Sequence, residues 1–197
     1  MEADIYDFDH TLVPFDSGSL FVGYCLLHYP WVAFSLPVIA VGGLLKLTKR
    51  ITFTQFKRIC YSFLWMIPVE RAVSGFWDKH EHEVFKWFKY RPRYSIVISA
   101  SPDFLLEDIC KRIGVDCLIC TRHSKKTGRI IGKNCRRQEK VDRLYKEFDR
   151  DKIKIVDVYS DSLRSDRPIF SLATGKCYNI VSGRKLAFDY KELYNEF

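Results

Sequence analysis

Short apolar runs rich in Ile and Val recur along this chain with helix-period segments between them, the alternation that predicts an α/β domain with a parallel sheet. Ile5-Tyr6-Asp7-Phe8 predicts a strand at the very start. Residues 95–99, Ser-Ile-Val-Ile-Ser, predict a second, β-branched as strands buried on both faces tend to be. Residues 115–120 and 153–158 predict a third and a fourth, and Cys177–Val181 a fifth. A helix is expected after the second strand: Ser101 suits its cap, Pro102 its first position, Phe104, Leu105 and Ile109 its apolar face, and Gly114 its stop. A hairpin turning around Lys126-Thr127-Gly128 and a helix over residues 139–148 separate the third strand from the fourth.

Residues 16–90 break this alternation. The 29 residues from 17 to 45 contain no Asp, Glu, Lys or Arg, and helix-period segments follow around 52–65 and 69–89. The block predicts a helical insertion over the sheet's C-terminal edge, with residues 1–15 and 91–197 forming the core. A spanning helix takes about 20 apolar residues, so the charge-free run is long enough to cross a bilayer. Pro30, Pro37, Gly23, Gly42, Gly43 and His28 divide it into pieces such as 20–29 and 31–45, and Lys46, Lys49 and Arg50 follow directly. Three readings stand: buried core of a helical cap, a re-entrant or interfacial membrane segment, and a transmembrane span. A single crossing would put the first strand and the other strands on opposite sides, which argues against the third.

Composition narrows the class. The 197 residues suit one globular domain with an elaboration. With 47% hydrophobic and 28% charged residues, a disordered chain is excluded. Thirty-two basic groups against 24 acidic ones give +8, which favours a polyanionic partner: phosphate esters, nucleic acid or an anionic membrane surface. Seven cysteines without a framework spacing predict reduced thiols in a cytoplasmic protein, and the acidic Met1-Glu2-Ala3-Asp4 leads to the expectation of no secretory signal. Cys117 and Cys120 form a C-x-x-C with no second ligand pair at zinc spacing, so a buried strand is expected there.

The candidate chemistry begins at Asp7 and Asp9. Carboxylates at i and i+2 of an extended chain share one side, here at a strand's C-terminal end, where open α/β sheets bind ligands. Such a pair holds Mg²⁺ and lets one carboxylate attack phosphorus while the other moves a proton. Alone, a D-x-D is a weak signal. Ser99 ends the second strand ahead of Ala100-Ser101-Pro102, where a hydroxyl and the backbone N–H groups of a helix N-terminus form a phosphate cradle. Lys140 begins a helix, and Asp161 and Asp166 follow the fourth strand.

In this order, and over nearly the whole chain, these four elements resemble the haloacid dehalogenase superfamily of aspartyl-phosphate phosphatases. Within it the likeness is to subfamily IB, the branch of phosphoserine phosphatase and phosphatidylglycerophosphatase C-like proteins. The resemblance implies a Rossmann-like core, a helical C1-type cap inserted after the first strand, and Mg²⁺ as cofactor. It implies that Asp7 is the nucleophile and a metal ligand, and that Asp9 is the general acid and then the base, its carbonyl on the metal. Asp161 would complete the metal site. Thr11, Ser99, Ala100 and Lys140 would contact substrate, and Asp166 would orient Lys140 or a metal-bound water. Three positions depart from the pattern. His10 and Ser160 stand where Gly is usual, and Asp161 and Asp166 are five apart, the longer of the family's spacings.

Two further features carry less. His80-Glu81-His82 is not expected to hold a metal, because i and i+2 do not face each other on a helix. Seven basic and no acidic residues between Arg122 and Arg137 suit either a solvated hairpin or attraction of a phosphorylated or membrane-borne substrate; no nucleic acid is expected, since no matching motif accompanies the charge. The expected reaction is Mg²⁺-dependent hydrolysis of a phosphomonoester through an aspartyl-phosphate. The apolar, aromatic first half of the insertion (Phe21, Tyr24, Tyr29, Trp31, Phe34) favours a lipid-linked phosphate such as phosphatidylglycerophosphate, met in the cytoplasm at the inner membrane face. A small soluble ester, phosphoserine-like or a sugar phosphate, and a catalytically silent phosphate-sensing module stay open.

Overall fold

The computed structural model describes residues 1–194; residues 195–197, the tail of the expected core, lie outside the described residues. Strands β1 (Glu2–Tyr6), β2 (Tyr94–Pro102), β3 (Cys117–Thr121), β4 (Lys154–Ser160), β5 (Cys177–Val181) and β6 (Arg184–Phe188) form one sheet in the order β3-β2-β1-β4-β5-β6. The first five run parallel, and β6 returns antiparallel to β5. All five expected strands are present, with shifted ends. The unexpected β6 is nearly all exposed, so no apolar run announces it; Ser182 and Gly183, both at positive φ, make its two-residue turn. The strand order reverses between β1 and β4, the switch point at which such sheets bind ligands.

Helices α1 (Ser17–His28), α2 (Leu36–Leu47), α3 (Phe53–Cys60) and α4 (Val69–His80) lie between β1 and β2. After them come α5 (Asp103–Arg112), α6 (Gln138–Glu147), α7 (Arg167–Phe170) and α8 (Tyr190–Tyr194). Asp16 caps α1 by accepting from Ser19 N at 2.7 Å, and Thr52 and Gln55 close a capping box on α3. The last expected helix of the insertion ends early, at His80 rather than near residue 89. Phe85 is extended and donates its N–H to Leu12 O at 2.8 Å, a tertiary bond that helix geometry would forbid.

Two apolar clusters cover the sheet. One, with Phe8, Phe21, Phe76, Trp77, Phe104 and Leu105, joins the insertion to it; the other, with Ile5, Ile96, Ile98, Ile155 and Phe170, lies under α6 and α7. Trp77 ties the first together. It is fully buried, meets Phe8 edge-on at 5.8 Å and donates Nε1–H to Leu105 O at 2.7 Å.

The charge-free run is not cap core throughout. In α1, Phe21 and Cys25 are buried, but only 11% of Pro30–Leu47 is, in a segment apolar and long enough to cross a membrane. Within α2 only Gly42 is buried, where an added Cβ would stand 2.9 Å from Ile59 Cδ1 of α3. Leu47 is 81% exposed, and Val38, Val41 and Leu44 are exposed with it. Burial is therefore corrected for residues 30–47. A single crossing is also incompatible with the fold, because β1 and β2, which bracket the insertion, pair side by side.

Trp77→Phe removes the bond to Leu105 O while keeping most of the apolar volume. Leu105 O keeps its helical bond within α5, so the lost hydrogen bond should cost about 0.5–1.5 kcal/mol, read from urea unfolding midpoints at unchanged slope.

Candidate active site

Lys140, on the first turn of α6, is buried between two carboxylates. Its Nζ lies 3.0 Å from Asp7 Oδ1 and 2.8 Å from Asp166 Oδ2. Asp7 stands one residue beyond β1, and its N–H, donated to Tyr159 O at 2.9 Å, holds it against the neighbouring strand. Asp166 Oδ2 also accepts from Ser160 Oγ at 2.6 Å. Ser160 thus has a task that Gly could not perform, and of the two roles expected for Asp166 the geometry supports orientation of Lys140.

Asp161 begins the loop after β4, across the switch point from Asp7. Its N–H donates to Thr11 Oγ1 at 3.0 Å. Thr11 is fully buried, and its hydroxyl oxygen ties this loop to the chain two places beyond Asp9. His10 takes φ +55°, the left-handed region in which Gly is favoured, and its N–H donates to Phe15 O at 3.2 Å. The backbone conformation beside Asp9 survives the His, at a strain of about 1–2 kcal/mol.

Asp9 faces the insertion. Its Oδ1 accepts from Ser17 N at 2.8 Å, at the start of α1, and its Oδ2 accepts from Ser101 Oγ. The expected helix cap at Ser101 is therefore corrected. Strand β2 runs on through Pro102 with an irregular register after Ser99, and α5 begins only at Asp103, with Pro102 at its N-cap. The cradle is a bulge that re-aims side chains at a strand end, not a helix N-terminus. In it, Ser99 is buried and its Oγ accepts from Ser101 N at 3.0 Å, while Ala100 O accepts from Lys57 Nζ of α3 at 2.7 Å.

Ser17, Lys57 and Ser101 escaped the sequence reading. Ser101 shares a side with Ser99 on an extended chain, a signal that its local likeness to a helix cap conceals. Lys57 had no signal, because nothing local says that α3 folds onto Ala100.

Burial pushes the Asp7 carboxyl above its ordinary range; Lys140 opposes this, while the charges of Asp166, Asp161 and Asp9 reinforce it. Burial, then the charge of Asp16, likewise raises Asp9 against the bonds from Ser101 and Ser17. Asp161 is raised by burial and by Asp166. Lys140 holds its proton tightly, since Asp7 and Asp166 outweigh the burial that opposes its charge. The cluster is thus rich in negative charge relative to its cations, and its donors are oxygens, which fits a hard divalent cation that keeps several waters. Among the described residues no three His, Cys, Asp or Glu side chains converge as an all-protein metal cage. His80 pairs instead with Glu83, 2.6 Å from its Nδ1, and Cys120 is buried in β3.

A family model for haloacid dehalogenase-like hydrolases matches residues 5–171, a span holding every residue of this cluster. The chain belongs to that family. Over 106 residues it is 31% identical to Protein CicA of Caulobacter vibrioides, a stretch covering 51% of this chain and 47% of that protein. The chain thus spans about half the length of the curated relatives it matches. A Bordetella pertussis protein of unknown function superposes with TM-score 0.70 at 20% identity, covering 85% of each chain. A phospho-aspartyl intermediate analogue of phosphoserine phosphatase superposes with TM-score 0.59 at 19% identity, covering 90% of this chain and 85% of that one. In this haloacid dehalogenase-like hydrolase the acidic residues of the cluster follow the ends of β1 and β4.

The raised carboxyl of Asp7 has a consequence for stability. A group that binds its proton more tightly folded than unfolded destabilises the fold once pH rises above its unfolded value, here 3.8. Without divalent cations, Asp7→Asn should therefore melt higher than the parent at neutral pH, and the difference should vanish near pH 4. Thermal melts in EDTA across pH read this, and a variant that melts lower than the parent at neutral pH would count against it.

Proposed function

We propose that this chain is a Mg²⁺-dependent phosphomonoesterase that works through an aspartyl-phosphate on Asp7, on a lipid-linked phosphate such as phosphatidylglycerophosphate. The observation that carries the chemistry is Lys140 held between Asp7 and Asp166, with Asp9 set apart on the insertion side. Phosphoryl transfer needs positioning and charge neutralisation more than covalent strain, and this arrangement supplies both.

An oxygen of Asp7 attacks phosphorus as the bond to the ester oxygen breaks. The leaving oxygen takes a proton from Asp9, whose raised affinity for protons suits a general acid. Asp9, now ionised, takes a proton from water as that water attacks phosphorus; the bond to Asp7 breaks and inorganic phosphate leaves. Ser99 and the N–H of Ala100 bind the phosphoryl oxygens, and Lys140 offsets their charge. Mg²⁺, held by Asp7, Asp161 and the Asp9 carbonyl, would neutralise charge on the phosphoryl group.

The exposed apolar surface of the insertion supports the lipid-linked substrate. Leu27 and Phe34 are 81% exposed and Trp31 46%, ahead of the bare face of α2 and its trailing Lys46, Lys49 and Arg50. This reading places the protein in the cytoplasm at the inner membrane face; seven free thiols are compatible with that compartment. A soluble ester is the second reading, favoured by Lys57, a cation of the insertion beside the catalytic bulge that would also suit a substrate carboxylate.

Phosphate release is the test, with phosphatidylglycerophosphate in mixed micelles, phosphoserine, sugar phosphates and an aryl phosphate compared. The micellar lipid should lead; EDTA should abolish release and Mg²⁺ restore it. Asp7→Asn should lose on the order of 10³-fold or more, as removal of a nucleophile does. A lead by phosphoserine would transfer the site to the soluble ester, and no release from any substrate would refute the phosphatase.

A further inference from the structure

The hairpin after β3 meets the insertion in a groove of about 630 Å³ whose lining contains none of the catalytic side chains. Arg58, Lys126 and Arg129 bring three cations to it, and Val38, Ile59 and Trp65 give it apolar walls. Among the described residues none of the three cations forms an ion pair; the nearby pair is Lys125 with the exposed Glu70, at 3.4 Å. The hairpin is fixed in place by Gly128. At φ +66° it lies so close to the residue after α3 that an added Cβ would fall 2.0 Å from Tyr61 O.

Two properties select the ligand. Three unpaired cations in a concavity attract an anion with several charged oxygens, of the phosphate class. The apolar walls select its carrier. Val38 is 55% and Trp65 71% exposed, and Val38 belongs to the same bare helix as Val41, Leu44 and Leu47. A soluble phosphate or a nucleic acid would use the cations and leave that aliphatic surface in water. A phospholipid in a bilayer uses both, with its phosphate on the cations and the interface region against Trp65 and α2.

We propose that this groove binds the headgroup of an anionic phospholipid of the membrane, at a site separate from the catalytic centre, and so orients the insertion on the bilayer. The proposal rests on the membrane-facing part of the proposed function and not on the hydrolytic chemistry.

The test is co-sedimentation of the full chain with vesicles of phosphatidylcholine, with and without phosphatidylglycerol. The variant is Arg58→Gln/Lys126→Gln/Arg129→Gln. Its control is Lys86→Gln/Lys89→Gln/Lys111→Gln, which removes the same charge from exposed positions outside the groove. The parent and the control should bind the anionic vesicles. The groove variant should lose affinity on the order of 100-fold, from roughly five-fold for each basic group near the surface. Its far-ultraviolet circular dichroism and its turnover of a soluble aryl phosphate should match the parent, which separates a lost site from a lost fold. Asp7→Asn should bind vesicles as the parent does, so failure of the phosphatase reading would leave this result standing. Equal losses in groove variant and control, or no binding by the parent, would overturn the proposal. So would a groove variant that keeps its vesicles and loses heparin, since that would assign the groove to a soluble polyanion.

Discussion

A single buried ammonium, Lys140 between Asp7 and Asp166, is the contact on which the rest of the site depends. Lys140 keeps its charge in the interior because two carboxylates face it, so Asp166 still partners the ammonium when Asp7 is neutral. The three groups come from three places: the end of β1, the first turn of α6 and the loop before α7. Ser160 fixes Asp166 from β4, and Tyr159 O fixes the backbone of Asp7, so the pairing of β1 with β4 and the ion pair reinforce each other. The sheet is built around the place where its strand order reverses, and the charge sits there.

That charge is costly to the fold. Asp7, Asp9 and Asp161 are all held above the ordinary carboxylate range, with burial as the first cause in each. A domain selected for stability alone would not gather these groups; the proposed hold on a divalent cation, which takes carboxylate oxygens, is the reason to. The left-handed backbone of His10 is a second local strain beside the same centre, and the positive φ of Arg137 just before α6 is a third.

The insertion has two faces with different demands. Its inner face, through Phe21, Phe76 and Trp77, is continuous with the core, and through Ser17 and Lys57 it reaches the catalytic loops. Its outer face leaves α2 almost bare: Gly42 lets that helix lie close on α3, and little else among the described residues covers it. A helix that is apolar all round needs an apolar neighbour on every side. Here the protein provides it on one.

Periodicity and spacing determined much in advance. Five strands, the insertion after the first of them, and the order Asp7, Asp9, Ser99, Lys140, Asp161, Asp166 were legible because each depends on local pattern, a β-branched run or a polar residue at a strand's end or a helix's start. What the tertiary structure alone decided depends on contacts distant in sequence. Ser101 reads locally as a helix cap, yet its hydroxyl goes to Asp9, 92 positions away. Thr11 gives no local sign that its hydroxyl supports the Asp161 loop, 150 positions away. Lys57 and β6 had no local signal, one because its partner is a carbonyl in another element and the other because an exposed edge strand needs no apolar run. The charge-free run was ambiguous for the same reason. Hydropathy says that residues 30–47 avoid water, but only packing shows how little of that surface the protein itself covers.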